Sequence, residues 1–192
     1  AGAGLGAAQQ VVAFQHGAMR HLVHEDLNAV LPFMVNWLST REITTFFFGH
    51  SVLTVLLHSR RLKPESFPKM RHLIAAGEVL PRDILAEWMD MYPHIQFTNM
   101  YGPTETTVWS TCWKVPPADP GNPALGISIG RPTANTTDWV LDEQRSLWPI
   151  GVHGATWIGG AGVPPGNPTP PARPPAPPVP PRFTRDPPSR TS

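Results

Sequence analysis

An α/β fold is expected: a partial parallel sheet with flanking helices, plus a smaller β layer and a disordered Pro-rich tail. Three features of the 192 residues point there. Short apolar runs rich in β-branched and aromatic residues alternate with segments of helical periodicity. The links between them are short, which suits βαβ units joined by right-handed crossover helices. After Glu105 the rhythm changes to brief strand-like runs bounded by Gly and Pro, which suits antiparallel pairing.

Asp26 to Leu38 reads as a helix, with Pro32 an irregularity near its first turns. Ile43 to Phe48 follows as a buried strand, β-branched and aromatic. Ser51 to His58 carries Val52, Leu53, Leu56 and Leu57 at helical spacing, and Ser51 is the expected N-cap. His72 to Gly77 is a second strand ending at a glycine. Pro81 opens the next helix, where its missing N–H is tolerated. Ile84, Leu85, Trp88 and Met91 form the apolar stripe of that helix. Ile95 to Thr98 is a third strand running into a Tyr-Gly-Pro turn. Thr107 to Trp113 alternates, Pro116 to Pro123 is a loop, and Asp138 to Leu141 and Ala155 to Ile158 are short strands. No internal repeat is present.

Composition narrows the function. Hydrophobic residues make up 41% and charged residues 15%, below the ~25% charged of an average domain. A formal net charge of +1 offers no electrostatic footprint for nucleic acid. The single Cys112 excludes an internal disulfide framework, suits a reducing compartment, and is expected as a small core residue rather than a nucleophile. No apolar run approaches the ~20 residues that span a bilayer. Ala1 to Gln10 lacks the basic flank of a signal peptide. A cytoplasmic protein without membrane contact is therefore expected. The missing initiator Met is read as the mark of a fragment or a processed product. His16, His21 and His24 lie close together but without zinc-ligand spacing, so no metal site is expected from them.

Of the 25 prolines, 13 fall between Pro164 and Pro188. That segment has too few large apolar residues to offset the entropy of ordering, so polyproline II or disorder is expected. The chain divides accordingly into residues 1–163 and a tail, 164–192. Pro177-Pro178-Val179-Pro180-Pro181-Arg182 fits a ligand of SH3-type aromatic grooves, which makes a Pro-rich interaction module the alternative from another class.

Ligands of parallel sheets sit beyond the carboxyl ends of the strands. Two such ends are chemically rich: Ala75-Ala76-Gly77-Glu78 and Asn99-Met100-Tyr101-Gly102-Pro103-Thr104-Glu105-Thr106-Thr107. The second offers an aromatic face, a sharp turn, hydroxyls and a carboxylate. A nucleotide needs a flat ring for its base, donors for phosphate oxygens and a carboxylate for Mg²⁺.

Asn-x-Tyr-Gly-Pro-Thr-Glu resembles the central core motif of the adenylate-forming (AMP-binding) superfamily. That superfamily includes nonribosomal peptide synthetase adenylation domains, acyl-CoA synthetases and luciferases. Phe67 to Pro81 is similar to the stretch around the family's glycine-glutamate loop. Val108-Trp109-Ser110-Thr111, Ile129-Gly130-Arg131-Pro132, Asn135, Val140-Leu141-Asp142 and Gly151 to Val163 resemble later family segments. The resemblance covers about Gly17 to Val163 and makes residues 1–163 a partial adenylation domain.

The resemblance implies roles residue by residue. Tyr101 would stack on adenine, while Asn99, Ala76, Gly77 and Glu78 would line its pocket and Gly102 would form the turn. Thr104 would contact the α-phosphate and Glu105 would hold Mg²⁺; these two are the catalytic candidates. Ile74, Ala76, Met100, Val108 and Trp109 would line the pocket for the acyl side chain. The implied reaction activates a carboxylic acid, most simply an amino acid, with ATP. The acyl group then passes to phosphopantetheine on a carrier protein domain. An acyl-CoA synthetase-like fragment is the alternative within the superfamily.

The resemblance also places several family parts outside this sequence: the phosphate loop, the ribose-binding aspartate and the subdomain with the catalytic lysine. Gly154-Ala155-Thr156 and Val163-Pro164-Pro165 depart from the family pattern, which Arg182 to Pro187 resumes. The isolated chain is accordingly expected not to complete adenylation.

Overall fold

A computed structural model of the chain describes residues 15, 17–21, 31–106, 108–117 and 126–163. The Ala1–Gln10 start, the 26–30 onset of the first helix, His16 and His24, most of the 116–123 loop and the 164–192 tail lie outside the described residues.

Helix α1 spans Leu31–Thr40 and turns Met34, Val35 and Leu38 inward. Their i, i+1, i+4 spacing places them on one helix face. The chain leaves the helix through Glu42, whose φ is +50°, and Ile43 N–H still bonds the Leu38 carbonyl. That closing turn takes up Ile43, so strand β1 runs Thr45–Gly49 rather than from residue 43. Helix α2, His50–His58, follows immediately and buries His50, Leu53 and Leu56.

The expected Ser51 cap is not formed. Gly49 takes the N-cap position without a side-chain bond. The orphan Ser51 N–H instead donates to Glu78 Oε2 at 3.2 Å. A carboxylate at a helix N-terminus also faces the positive end of the helix dipole.

β2 is His72–Ala76, α3 is Arg82–Met91 and β3 is Gln96–Tyr101. Pro81 stands at the N-cap of α3, one residue outside the position expected for it. β1, β2 and β3 pair in parallel, Phe48 opposite Ala75 and Ala75 opposite Asn99. β3 extends three residues past its expected end because β4, Thr111–Lys114, pairs with it antiparallel: Met100 faces Cys112 and Tyr101 faces Thr111. The short β5, Arg131–Pro132, continues the sheet in the order β1-β2-β3-β4-β5. The smaller β layer is a separate two-stranded antiparallel sheet, β6 Thr136–Leu141 with β7 Ala155–Gly160. The fold is α/β, as expected.

Strand alternation sorts the side chains. Phe48, Leu73, Ala75 and Phe97 face the helices and join Leu38, Leu53, Leu56, Leu85 and Trp88 in one core. Trp88 Nε1–H donates to the Leu53 carbonyl at 3.2 Å, which ties α3 to α2 inside that core. Phe67, Trp88 and Tyr92 pack ring to ring. The Tyr92 hydroxyl donates to the Lys63 carbonyl at 2.8 Å, and burial pushes the phenol up to about 12. Among the described residues no helix is long and apolar enough to cross a membrane.

Candidate functional site

The two chemically rich strand ends lie side by side. Ala76 pairs with Met100 across β2 and β3, so the residues that follow them, Gly77 and Tyr101, stand next to each other. Gly77 has φ of +97° and open space where a side chain would stand, so a flat group can approach its backbone closely. Tyr101 is 42% exposed, although its neighbours along β3 are buried or half-buried. Burial of the rest of the ring raises the phenol pKa, and the Asp138 charge raises it further.

Gly102 is required by close approach. A Cβ there would stand 2.6 Å from both Ser110 N and Val108 O. The strand end and the 108–110 segment are therefore in backbone contact, and Ser110 N–H donates to the Tyr101 carbonyl at 2.8 Å. Thr104–Thr106 forms one 3₁₀ turn. Thr106 Oγ1 bonds the Pro103 carbonyl and lies 2.7 Å from Ser110 Oγ, so these two hydroxyls satisfy one another. Thr104 is exposed. Glu105 is the middle residue of the turn, and its side chain lies outside the described set, as does all of Thr107.

Behind this front runs a polar chain that is buried at its His50–Asn99 centre and part-buried at both ends. Glu78 N–H donates to His50 Nδ1 at 3.2 Å, and His50 Nε2 lies 3.2 Å from Asn99 Oδ1. Asn99 Nδ2 donates to the Ser128 carbonyl at 2.8 Å. A backbone N–H can only donate, so Nδ1 bears the lone pair and Nε2 the proton. Burial holds the His50 pKa below its ordinary value, against the opposing pull of Asn99 and of Glu78. Asn99 is 5% exposed, and both ends of its carboxamide are engaged within the protein.

The expected acyl-pocket residues divide into two groups. Ile74, Ala76 and Met100 share the sheet face that points away from the helices, with Ile74 opposite Phe47 on β1. Trp109 joins them through Phe47: the rings stack at 5.3 Å with planes 13° apart. Its buried Nε1–H has no hydrogen-bond partner among the described residues. Val108 is not on the sheet, and its φ of +76° is a strained conformation for a β-branched residue. Phe47 and His50 join the site without belonging to any of the sequence motifs above. Alternation through Thr45-Phe46-Phe47-Phe48 marks the middle Phe as facing opposite to its neighbours. A histidine directly behind a strand end marks His50.

Among the described residues no three His, Cys, Asp or Glu side chains group to hold a metal. Mg²⁺ needs less, because it binds through one or two carboxylates together with substrate phosphates.

The sequence profile of the AMP-binding enzyme family matches residues 4–166. The chain belongs to this family. A stretch of 145 residues is 42% identical to a linear gramicidin synthase of Brevibacillus parabrevis, covering 74% of this chain and 2% of that protein. Phosphinothricin tripeptide synthetase PhsB of Streptomyces viridochromogenes is 32% identical over 147 residues, 77% of this chain and 12% of that protein. The chain thus spans a small fraction of these relatives. PA1221, an NRPS protein containing adenylation and PCP domains, superposes with a TM-score of 0.61 at 25% identity, over 69% of this chain and 26% of that one. The N-terminal subdomain of Klebsiella oxytoca NpsA superposes with a TM-score of 0.60 over 76% of this chain and 35% of that one; its 16% identity bears on the fold alone.

Proposed function

We propose that this chain supplies the adenine-binding and acyl-binding centre of an adenylation domain in a nonribosomal peptide synthetase. The supporting observation is the pairing of Ala76 with Met100, which sets the open Gly77 turn beside the half-exposed Tyr101. In this reading adenine lies on the Tyr101 ring and against the Gly77 backbone. Ala76 and Glu78 flank it, and Asn99 supports the pocket from behind. Thr104 donates to the α-phosphate, and Glu105 holds Mg²⁺, which neutralises phosphate charge when bound. The acyl side chain lies along Ile74, Ala76 and Met100, with Phe47 and Trp109 at its far end and Val108 at the rim.

A carboxylate oxygen of the substrate, an amino acid in this reading, attacks the α-phosphorus of ATP. The bond from that phosphorus to the bridging oxygen breaks, and pyrophosphate leaves with the electron pair. The acyl-adenylate then passes its acyl group to the phosphopantetheine thiol of a carrier domain, and AMP leaves. Residues 1–163 are the adenylation part and 164–192 a separate tail, in a cytoplasmic protein that engages neither nucleic acid nor membrane. In this reading the 192 residues alone bind nucleotide without completing the cycle, because none of the chain's three lysines, Lys63, Lys69 and Lys114, belongs to the site.

Calorimetric titration of the chain with Mg·ATP tests this, with Tyr101→Ala alongside. Heat that disappears in the variant is expected. Equal heat in both proteins, or none in either, would refute the adenine site.

A further inference from the structure

We propose that His50 is a positioning residue of the nucleotide site, tying the Gly77–Glu78 backbone to the Asn99 carboxamide through its two ring nitrogens. The inference rests on the reading of those segments as the adenine pocket.

His50 is 1% exposed and is the first residue of α2, directly behind the end of β1. Its ring touches two other strand ends at once. Nδ1 accepts the Glu78 N–H from beyond β2, and Nε2–H donates to Asn99 Oδ1 on β3. Asn99 passes the link on to the Ser128 carbonyl, and Glu78 returns it to α2 by accepting the Ser51 N–H. Four segments far apart in sequence are thereby joined in one circuit of hydrogen bonds, closed through Glu78 and ending at the Ser128 carbonyl on the other arm. Each member has its donor facing an acceptor, and such a network fixes relative position more tightly than apolar packing alone.

The circuit needs a neutral imidazole. A proton on Nδ1 would set one donor against another at the Glu78 amide and release the loop that carries Gly77. The charged group facing the ring is the Glu78 carboxylate, which favours protonation; Asn99 from β3 is uncharged, and burial opposes the charge more strongly. The circuit therefore stands at neutral pH, and because burial lowers the His50 pKa it opens only under acidification beyond the ordinary histidine range.

Two variants separate positioning from bulk. A glutamine side chain can accept from Glu78 N–H and donate to Asn99 Oδ1, whereas phenylalanine fills the space without either bond. The full chain and the variants His50→Gln and His50→Phe are titrated with Mg·ATP from pH 5 to pH 8, and amide hydrogen exchange at Glu78 is followed in the same samples without nucleotide.

Affinity in His50→Phe is expected to fall about tenfold, and in His50→Gln to stay within about threefold of the parent. The parent loses affinity in acid relative to His50→Gln; the nucleotide's own titration is common to both and cancels. Glu78 exchange is slow in the parent and in His50→Gln, and fast in His50→Phe. Parent-like affinity in His50→Phe would overturn the proposal, as would identical acid profiles for the parent and His50→Gln. If the parent binds no Mg·ATP, the adenine reading fails separately. Glu78 exchange then decides the tie itself: loss only in the Phe variant upholds it, and unchanged exchange overturns it. If His50→Phe does not fold, the acid profiles and Glu78 exchange of the parent and His50→Gln carry the decision.

Discussion

Replacing Gly102 with alanine should damage the site through its backbone. The added Cβ would stand 2.6 Å from Ser110 N and from Val108 O, and 3.0 Å from Trp109 Cα. Ordinary contact begins near 3.4 Å, so two backbone atoms must move by roughly 0.8 Å. Neither is the end of a flexible side chain that could swing aside. Overpacking of this kind costs about 1–3 kcal/mol. Displacing the 108–110 segment also strains the Ser110–Tyr101 backbone bond, adding about 1 kcal/mol. At about 2–4 °C per kcal/mol for a domain of this size, the melting temperature should fall by roughly 4–16 °C. Gly77→Ala is the control. Gly77 has a positive φ but open space around it, so only backbone strain of about 1–2 kcal/mol applies. Thermal unfolding followed by far-ultraviolet circular dichroism measures both. A Gly102→Ala melt within about 2 °C of the parent would show that the 108–110 backbone yields freely, contrary to this expectation, as would a larger loss in Gly77→Ala.

The φ of +76° at Val108 predicts that Val108→Gly raises stability by about 1 kcal/mol in urea unfolding, because relieved strain exceeds the added chain entropy. A loss of stability would contradict that. Trp88 is 1% exposed and donates to the Leu53 carbonyl, so Trp88→Ala should cost about 3–5 kcal/mol. Trp88→Phe, which keeps the ring contacts, should cost clearly less; equal losses would show that those contacts contribute nothing. Both Asp138 carboxylate oxygens are buried without a partner among the described residues, and burial pushes the carboxyl pKa up. The folded state therefore holds the proton more firmly than the unfolded state. The stability this adds is present below the ordinary value of 3.8 and is lost as pH rises through the folded value. Asp138→Val should lack that decline and be more stable at pH 7 by about 1 kcal/mol. A less stable variant at pH 7 would mean that the carboxylate is satisfied.

What can be read from the sequence divides between local and long-range causes. The three parallel strands are legible because each is a short apolar run bounded by Gly, Pro or a charged turn. The stripe of Ile84, Leu85 and Trp88 is legible because helical period alone places it. Tyr101 and Gly102 stand out because an aromatic residue before Gly-Pro at a strand end is locally distinctive. The extension of β3 to Tyr101 is not legible, because it depends on a partner strand at Thr111–Lys114. Local chemistry assigns the α2 cap to Ser51, which has the right side chain in the right place. The acceptor that serves comes from Glu78, 27 residues away in sequence. Phe47 is hidden inside a run of three phenylalanines, where composition is uniform and only strand parity separates the faces. His50 is hidden because its partners, Glu78 and Asn99, are assembled only by the parallel pairing of β1, β2 and β3.

The proposed place of adenine is between the Gly77 turn and Tyr101. Photolabelling with 8-azido-ATP and Mg²⁺, followed by peptide mapping, locates the base directly. An adduct confined to segments 76–78 and 99–104 and suppressed by excess ATP is expected. An ATP-suppressed adduct elsewhere, such as on the β6–β7 hairpin, would contradict it, as would labelling that ATP does not suppress.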